Sequence, residues 1–368
     1  MKVFCNGSEL SDALSKVIKA LPVKRINPIL DGVKLKAQGD ILSIFATDLE
    51  LAIEKTINAE VLIEGEVVVP GKIFADYINQ IKDEDRVSLD ATDLMNLNVE
   101  YLDSNVKFKC YNASEYPVFK EVSQDESFII LKNDFKHLIE KIIYCVATTD
   151  ESRANLKACC LNIKENEIEG VASDGFRLAL VKKPIQNNGQ EKQLLVPAKS
   201  LNEIGKLIDN EGETVTVYVE ANYIMIDLFH TKIITRLINE PYISYDKIIP
   251  QDFTTEVTID KVLLEKAINR INIINKTEKR AIVKIDIKED IAYFTTSTAD
   301  GDVNEKITIG LKGKDIIIGF NPKFILDCLN TSTDNFITML FKTSTGAAII
   351  KGEDDSWKYL ILPVRVVS

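Results

Sequence analysis

The sequence predicts an α+β protein built from three similar domains. Three observations carry this expectation. An amphipathic helical segment begins at residues 10, 135 and 260, a constant spacing of 125 residues. Each segment leads into stretches where apolar and polar residues alternate with the period of a half-buried strand. A second helical segment then follows an extended apolar run. The chain has 368 residues, more than one hydrophobic core usually serves, which suits several domains. The repeat places the domains at 1–125, 126–252 and 253–368.

The first helices share one stripe. Leu10, Ala13, Leu14, Val17, Ile18 and Leu21 fall at helical spacing, as do Phe135, Leu138, Ile139, Ile142, Ile143 and Val146. The third helix offers Leu263, Leu264, Ala267, Ile268 and Ile271, with Asp260 as the exception. Alternating runs follow from Leu30, Leu156 and Ala281, each broken by a polar turn. The second helices follow the apolar runs at Val67, Leu194 and Ile317, and further alternation from Val87, Val215 and Phe336 closes each domain. Each repeat thus reads β-α-β-β-β-α-β-β-β.

Composition narrows the function. With 45% hydrophobic and 27% charged residues the chain is an ordinary soluble globular protein. No uninterrupted apolar run reaches membrane-spanning length, and the start lacks the apolar core of a signal peptide. Six cysteines without C-x-x-C spacing read as buried, reduced thiols of a cytosolic protein. A net charge of −11 argues against loose binding of nucleic acid over the whole surface but leaves room for a local basic one. Catalytic material is thin. Only His137 and His230 are present, and Gly310-Leu311-Lys312-Gly313-Lys314-Asp315 lacks the spacing and hydroxyl of a phosphate loop. No metal or cofactor site is expected.

Two motifs remain. Ser173-Asp174-Gly175-Phe176-Arg177-Leu178 sets an Asp-Gly pair between apolar runs, the signature of a tight turn. Lysine recurs at one polar-face position of the three first helices, Lys16, Lys141 and Lys266, roughly 130° from the middle of the apolar stripe. It recurs near the start of the three second helices as Lys72, Lys199 and Lys323. Six matches in an acidic chain point to one shared basic surface suited to sequence-independent contact with duplex backbone. The alternative is a metal-dependent nucleic-acid enzyme using Asp48, Asp174 and Asp300; their repeat-equivalent turn positions favour a structural role instead.

The chain resembles the bacterial DNA polymerase III beta subunit family, the sliding clamps, along essentially its whole length. The resemblance rests on Pro28-Ile29-Leu30-Asp31-Gly32, Ala46-Thr47-Asp48-Leu49-Glu50, Val69-Pro70 opening a helix, Ala172 through Ala179, and Tyr359-Leu360-Ile361-Leu362-Pro363-Val364-Arg365. It implies three clamp-type domains, helices lining a central hole, antiparallel sheets outside, and a ring-shaped head-to-tail homodimer. Such a ring encircles duplex DNA and tethers the replicative polymerase as a non-catalytic processivity factor in the cytoplasm, at the nucleoid. An ATP-dependent clamp loader and repair proteins would be further partners, reached through short peptides, with no membrane partner.

The same resemblance implies site residues. The peptide pocket would comprise Leu156, Ser173, Gly175, Phe176, Arg177, Leu178, Ile243, Lys247, Ile248, Leu362, Pro363, Val364 and Arg365. The DNA-facing set would be Lys16, Lys24, Arg25, Lys72, Lys141, Arg153, Lys199, Lys266 and Lys323. Val106, Phe108, Ile273 and Ile274 would meet across the dimer junction. Three departures from the family pattern bear on peptide preference. Phe176 stands where histidine is common, Ile243 replaces an expected proline, and Val367 and Ser368 extend past the usual end.

Overall fold

The structure, a computed structural model, describes residues 1–24, 27–93, 95–149, 151–208, 212–278 and 281–365. In the first repeat, β1 (Lys2–Cys5) enters α1 (Gly7–Val17). Then come β2 (Gly32–Gln38), β3 (Ile41–Thr47), β4 (Leu51–Asn58), β5 (Glu60–Ile63), β6 (Gly65–Pro70), α2 (Gly71–Gln80), β7 (Val87–Asp90), β8 (Asn96–Tyr101) and β9 (Ser104–Lys109).

The second repeat opens with β10 (Ser127–Leu131) and α3 (Lys132–Ile142). It continues with β11 (Ala158–Ile163), β12 (Glu167–Ser173), β13 (Arg177–Pro184), β14 (Gln186–Asn187), β15 (Lys192–Pro197), α4 (Ala198–Leu207), β16 (Thr214–Glu220), β17 (Tyr223–Asp227) and β18 (Thr231–Arg236).

The third begins with β19 (Thr255–Asp260) and α5 (Lys261–Ile274). It ends with β20 (Val283–Lys288), β21 (Ile291–Thr298), β22 (Gly301–Thr308), β23 (Gly310–Gly313), β24 (Ile316–Phe320), α6 (Pro322–Thr331), β25 (Phe336–Phe341), β26 (Ala348–Lys351) and β27 (Trp357–Ile361).

Each repeat therefore has two strands more than the alternation pattern suggests. One long alternating stretch is cut by a turn into two strands, as at Thr47–Leu51. A second, very short strand (β5, β14 or β23) is too brief to show a period.

The helices form where the stripe predicts. Leu10, Ala13, Leu14 and Val17 of α1 are buried, as are Phe135, Leu138, Ile139 and Ile142 of α3 and Leu264, Ala267, Ile268 and Ile271 of α5. Leu263, expected in the stripe, is exposed instead. The α-helices α1 and α3 stop at Val17 and Ile142, so Ile18 and Ile143 lie in 3-10 turns. Side-chain caps fix three helix starts: Asn6 accepts from the N–H groups of Ser8 and Glu9, Asp260 from Leu263, and Asn321 from Lys323. All six cysteines are free and all but Cys110 are buried; burial pushes the thiols of Cys5, Cys160 and Cys328 up to about 12.

The chain divides into two compact units: Met1–Lys132 with Asn187–Gly189 and Glu203–Leu237, and Asn133–Gln186 with Gln190–Asn202 and Ile238–Ser368. In the first, one antiparallel sheet runs β5-β1-β7-β8-β9 and the other runs from β10 through β16-β17-β18-β4-β3-β2 to β6. In the second, the sheets run β15-β11-β12-β13-β27-β26-β25-β19-β23 and β22-β21-β20-β24. The middle repeat is shared between units because its strands bond to both neighbours. Leu51–Lys55 of β4 pairs with Thr231–Thr235 of β18, and Arg177–Val181 of β13 pairs with Trp357–Ile361 of β27. Within each unit the sheet crosses a repeat boundary without a break.

The turns between β3 and β4 and between β12 and β13 share one hydrogen-bond plan. Thr47 Oγ1 donates to Leu51 O and accepts from Leu49 N–H; Asp48 Oδ1 accepts from Glu50 and Leu51 N–H. Ser173 and Asp174 repeat this with Arg177, Gly175 and Phe176. The third turn is one residue shorter, and Asp300 accepts instead from Thr277 Oγ1, so its carboxylate is not equivalent. The plan requires a positive φ at its third residue, 91° at Gly175 and 76° at Leu49. Leucine there carries a steric cost that glycine lacks. Leu49→Gly is therefore expected to raise the free energy of unfolding by about 0.5–1 kcal/mol, since the exposed side chain contributes little burial. Urea titration of both proteins checks it.

Candidate peptide groove and basic surface

The Ser173–Leu178 turn is anchored from below by Arg177. Its side chain is 8% exposed and donates in three directions: Nε to Asp174 Oδ2 at 2.9 Å, Nη1 to Asp327 Oδ2 at 2.6 Å, and Nη2 to the Tyr144 carbonyl at 2.7 Å. The guanidinium also lies 4.3 Å from the centre of the Phe324 ring. Two carboxylates and a carbonyl around a planar cation satisfy its fork and balance its charge, which a buried cation requires. Arg177 is thus a support that ties β13 to α6, rather than an open wall of a pocket. Ser173 and Leu178 are buried with it. Phe176, at the turn's outer edge, is 63% exposed and projects an apolar ring into solvent.

The expected pocket residues meet this turn from two sides. Leu178, Leu360, Tyr245 and Ile349 belong to one apolar cluster, against which Tyr242 and Ile243 of the connector pack. Tyr245 is locked there by its hydroxyl, which donates to the buried Glu169 carboxylate and accepts from Asn162 Nδ2. Asn155, beside Leu156, donates to the Pro241 carbonyl at 3.0 Å and draws the connector toward the 3-10 turn Ala154–Lys157. On the other side, Leu362 N–H donates to Phe176 O at 2.9 Å, so the tail prolongs the β13–β27 ladder past Ile361. Pro363 interrupts that ladder, and Val364 N–H turns to Gly319 O at 2.8 Å. Lys247, Ile248, Leu362 and Arg365 are exposed around this cluster. Val367 and Ser368 lie outside the described residues.

The basic residues do not behave alike. Lys24, Lys72, Arg153, Lys199, Lys266 and Lys323 are exposed. Lys16 is half-buried and pairs with Asp12 at 3.1 Å. Arg25 lies outside the described residues. Lys141 departs from the expectation: it is 2% exposed, its Nζ has no hydrogen-bond partner, and it stands 4.0 Å from the centre of the Trp357 ring. The indole N–H of Trp357 in turn donates to Asp334. Trp357 of β27 covers this one position of α3, while Asn133, Lys136 and Glu140 of the same helix stay exposed, so a position that would be solvated on an isolated helix is enclosed. Lys141 is therefore not available to DNA. Of the expected junction residues, Val106 is half-buried on the edge strand β9. Phe108 is buried against Phe74 and Tyr77, Ile273 is exposed and Ile274 is half-buried.

Asp48 and Asp174 each turn Oδ1 to two turn N–H groups, and Asp174 Oδ2 accepts from Arg177, which is a structural use of both side chains. Among the described residues no group of three or more His, Cys, Asp or Glu side chains could hold a metal ion. No helix among them is long and apolar enough to cross a membrane. Asp327, Tyr144 and Phe324 were not foreseeable as partners of Arg177, because they lie far from it in the chain and in no shared motif.

Three repeats of one α+β unit, with sheets running on across their boundaries, define the class of the three-domain clamps. The comparisons agree along the whole chain. Residues 1–120, 130–243 and 246–365 match the N-terminal, central and C-terminal domains of the DNA polymerase III beta subunit. The Staphylococcus aureus beta sliding clamp is 25% identical over 96% of each chain. The DNA polymerase III beta subunit of Thermotoga maritima is 28% identical, with a TM-score of 0.92 over 100% of both chains. The sliding clamp of Bacillus subtilis, at 23% identity, shares the fold with a TM-score of 0.95. The chain belongs to the DNA polymerase III beta subunit family, the sliding clamps. These are non-catalytic processivity subunits that hold a polymerase on DNA.

Lys141 yields a test with a defined sign. Burial, opposed by Cys328 and Asp334, lowers its pKa from 10.5 to about 8. Between about pH 8 and pH 10.5 the unfolded chain binds the extra proton, so stability gains as pH rises through that window. Below it the charged lysine is a constant cost, partly offset by the Trp357 ring. Lys141→Met should raise stability at pH 7 by about 1–3 kcal/mol and flatten the rise between pH 8 and 10.5. Denaturant midpoints at pH 7 and pH 10 for both proteins check this; a loss of stability at pH 7 would contradict it.

Proposed function

We propose that two copies of the chain join head to tail into a ring around duplex DNA and receive partner peptides at the Phe176 groove. The observation that carries the ring is the state of two strands. By the repeat, β9 is equivalent to β18 and β27, and β22 to β4 and β13. The latter strands pair across repeat boundaries, whereas β9 and β22 end their sheets. Unpaired edges are sites for adding another chain. Their charges differ: Lys107 and Lys109 lie on β9, whereas β22 carries Asp302, Lys306 and Glu305, the last paired with Arg270 at 2.6 Å. A β9–β9 contact would set lysine against lysine, so charge favours the heterologous joint, which closes only as a ring. Ile273, Ile274 and Val106 supply apolar surface for it.

The lysines support the orientation of the helices toward DNA. Lys72, Lys199 and Lys323 each occupy the first turn of a helix, where the macrodipole disfavours a cation. Three lysines held against that local cost fit a demand from outside the protein. Exposed lysines attract phosphate without base readout, which lets a ring slide. With Lys141 withdrawn, the residues proposed to face DNA are Lys16, Lys24, Lys72, Arg153, Lys199, Lys266 and Lys323. Lys72→Gln, Lys199→Gln and Lys323→Gln together should leave thermal stability nearly unchanged. They should lower loader-dependent retention on nicked circular DNA and flatten its salt dependence. Unaltered retention at every ionic strength would make these lysines a solvated face only.

The groove reading rests on an exposed aromatic ring fixed between a rigid turn, a packed connector and a chain tail. Apolar anchors in a preformed cleft are the usual means of capturing short peptides, here from polymerases, the ATP-dependent clamp loader and repair proteins. This work would take place in the cytoplasm at the nucleoid. Phe176→Ala and deletion of residues 362–368 should each weaken a fluorescent polymerase-derived peptide, and together by less than the sum, because both grip one ligand. Dimer mass should not change. Full affinity in the truncated dimer would return the motif to being a turn alone.

A further inference from the structure

Two of the expected groove residues, Ile243 and Ile248, sit on the connector of residues 238–253. Little of its backbone is tied to the sheet it crosses. Ile238 N–H donates to Leu195 O and Thr254 N–H to Phe341 O, both at 2.9 Å. Among the described residues, no backbone bond joins residues 239–253 to a strand. The Asn155 side chain reaches Pro241 O near one end, and Lys342 pairs with Asp252 at 2.7 Å near the other. Between these ties stands Tyr245.

Tyr245 holds the middle of the connector in two ways. Its main chain organises the 3-10 turn Tyr245–Lys247. The N–H donates to Ile243 O at 2.9 Å, and the carbonyl accepts from Ile248 N–H at 2.9 Å and Ile249 N–H at 3.2 Å. Ile243 and Ile248 are thus both fixed relative to this one residue. Its side chain then fixes the turn to the sheet. Tyr245 is buried among Cys160, Val171 and Leu180, and its hydroxyl donates to Glu169 and accepts from Asn162 Nδ2. Asn162 is held in turn by Gln193, whose Nε2 donates to Asn162 Oδ1 at 2.9 Å. The buried Glu169 carboxylate faces Lys182 at 3.6 Å and Lys164 at 4.0 Å. A hydroxyl-to-carboxylate bond is short and directional, and losing the donor would leave a buried carboxylate under-satisfied. Burial first, and the Glu169 bond second, hold the Tyr245 pKa well above its ordinary value, so the hydroxyl stays a donor.

We propose that Tyr245 is a positioning residue of the Phe176 groove: its bond to Glu169 presets the connector wall, so that a partner peptide meets Ile243 and Ile248 already in place. Tyr245 and Glu169 act through the wall and not by touching the peptide. This role rests on the reading of that groove as a peptide site. A wall without ladder bonds would otherwise have to be ordered as the peptide binds, and the cost of ordering it would be subtracted from the affinity.

The test uses the full chain and the fluorescent polymerase-derived peptide, followed by anisotropy at a temperature where circular dichroism shows every variant folded. Tyr245→Phe keeps the ring and should weaken the peptide about three- to tenfold. Glu169→Leu should do the same, and the double variant no more than either, since a single bond is lost in all three. Glu169→Gln keeps an acceptor for the hydroxyl and should retain most of the affinity. Amide exchange at Ile248 and Ile249 should quicken in Tyr245→Phe and Glu169→Leu but not in Glu169→Gln. Tyr116→Phe is the control for stability alone. That hydroxyl pins the connector after β9 by donating to Gly32 O at 2.8 Å, and its loss should leave the peptide bound as tightly as before. Wild-type affinity in Tyr245→Phe beside weakening by Phe176→Ala would overturn the positioning role while leaving the groove reading intact. Equal weakening by Tyr116→Phe would overturn it as well, since the effect would then be one of stability. Unchanged affinity in Phe176→Ala would overturn the groove reading itself, and the positioning role with it.

Discussion

Antiparallel pairing across repeat boundaries is the constraint on which the rest of this fold depends. A repeat that ended its own sheets would expose rows of N–H and C=O groups on both sides. Here β4 gives its edge to β18 and β13 gives its edge to β27, with five residue pairs in each ladder. The connector of residues 238–253, after β18, crosses the face of the next sheet at β11, β12, β13 and β27, and the Phe176 groove follows from that crossing.

Arg177 shows how such a junction is made specific. Backbone pairing alone would tolerate a slip between β13 and β27, though a one-residue slip would turn every side chain to the other face. The guanidinium adds a fixed point, since its donors must reach Asp174, Asp327 and the Tyr144 carbonyl together. Removing it would leave two carboxylates partly buried and unbalanced. The exposed Phe176 is then held on a turn whose geometry is set from beneath.

Much of this was legible in the sequence, for physical reasons that also mark its limits. The helices announced themselves because a 3.6-residue stripe is local information, and the triple repeat multiplied it. The turn at Asp174-Gly175 was legible because glycine reports a positive φ; the matching turn at Leu49 was harder to see, because leucine does not. Lys141 was misread because its cover, Trp357, lies in the last strand of the chain, and no helical wheel contains it. The inward course of Arg177 was equally hidden, since Asp327 and Tyr144 come from other elements. Local periodicity writes elements into a sequence; tertiary contacts decide which of their faces meet water.

The claim that the unpaired edges β9 and β22 complete each other between two chains can be measured directly by amide hydrogen exchange. Exchange at residues 104–109 and 301–308 would be followed as the protein is diluted, with mass recorded at each concentration. The account predicts that both strands are protected where the dimer prevails and lose protection together as monomer appears, while β4, β18, β13 and β27 stay protected throughout. Rapid exchange of β9 and β22 in a protein that is demonstrably dimeric would contradict it.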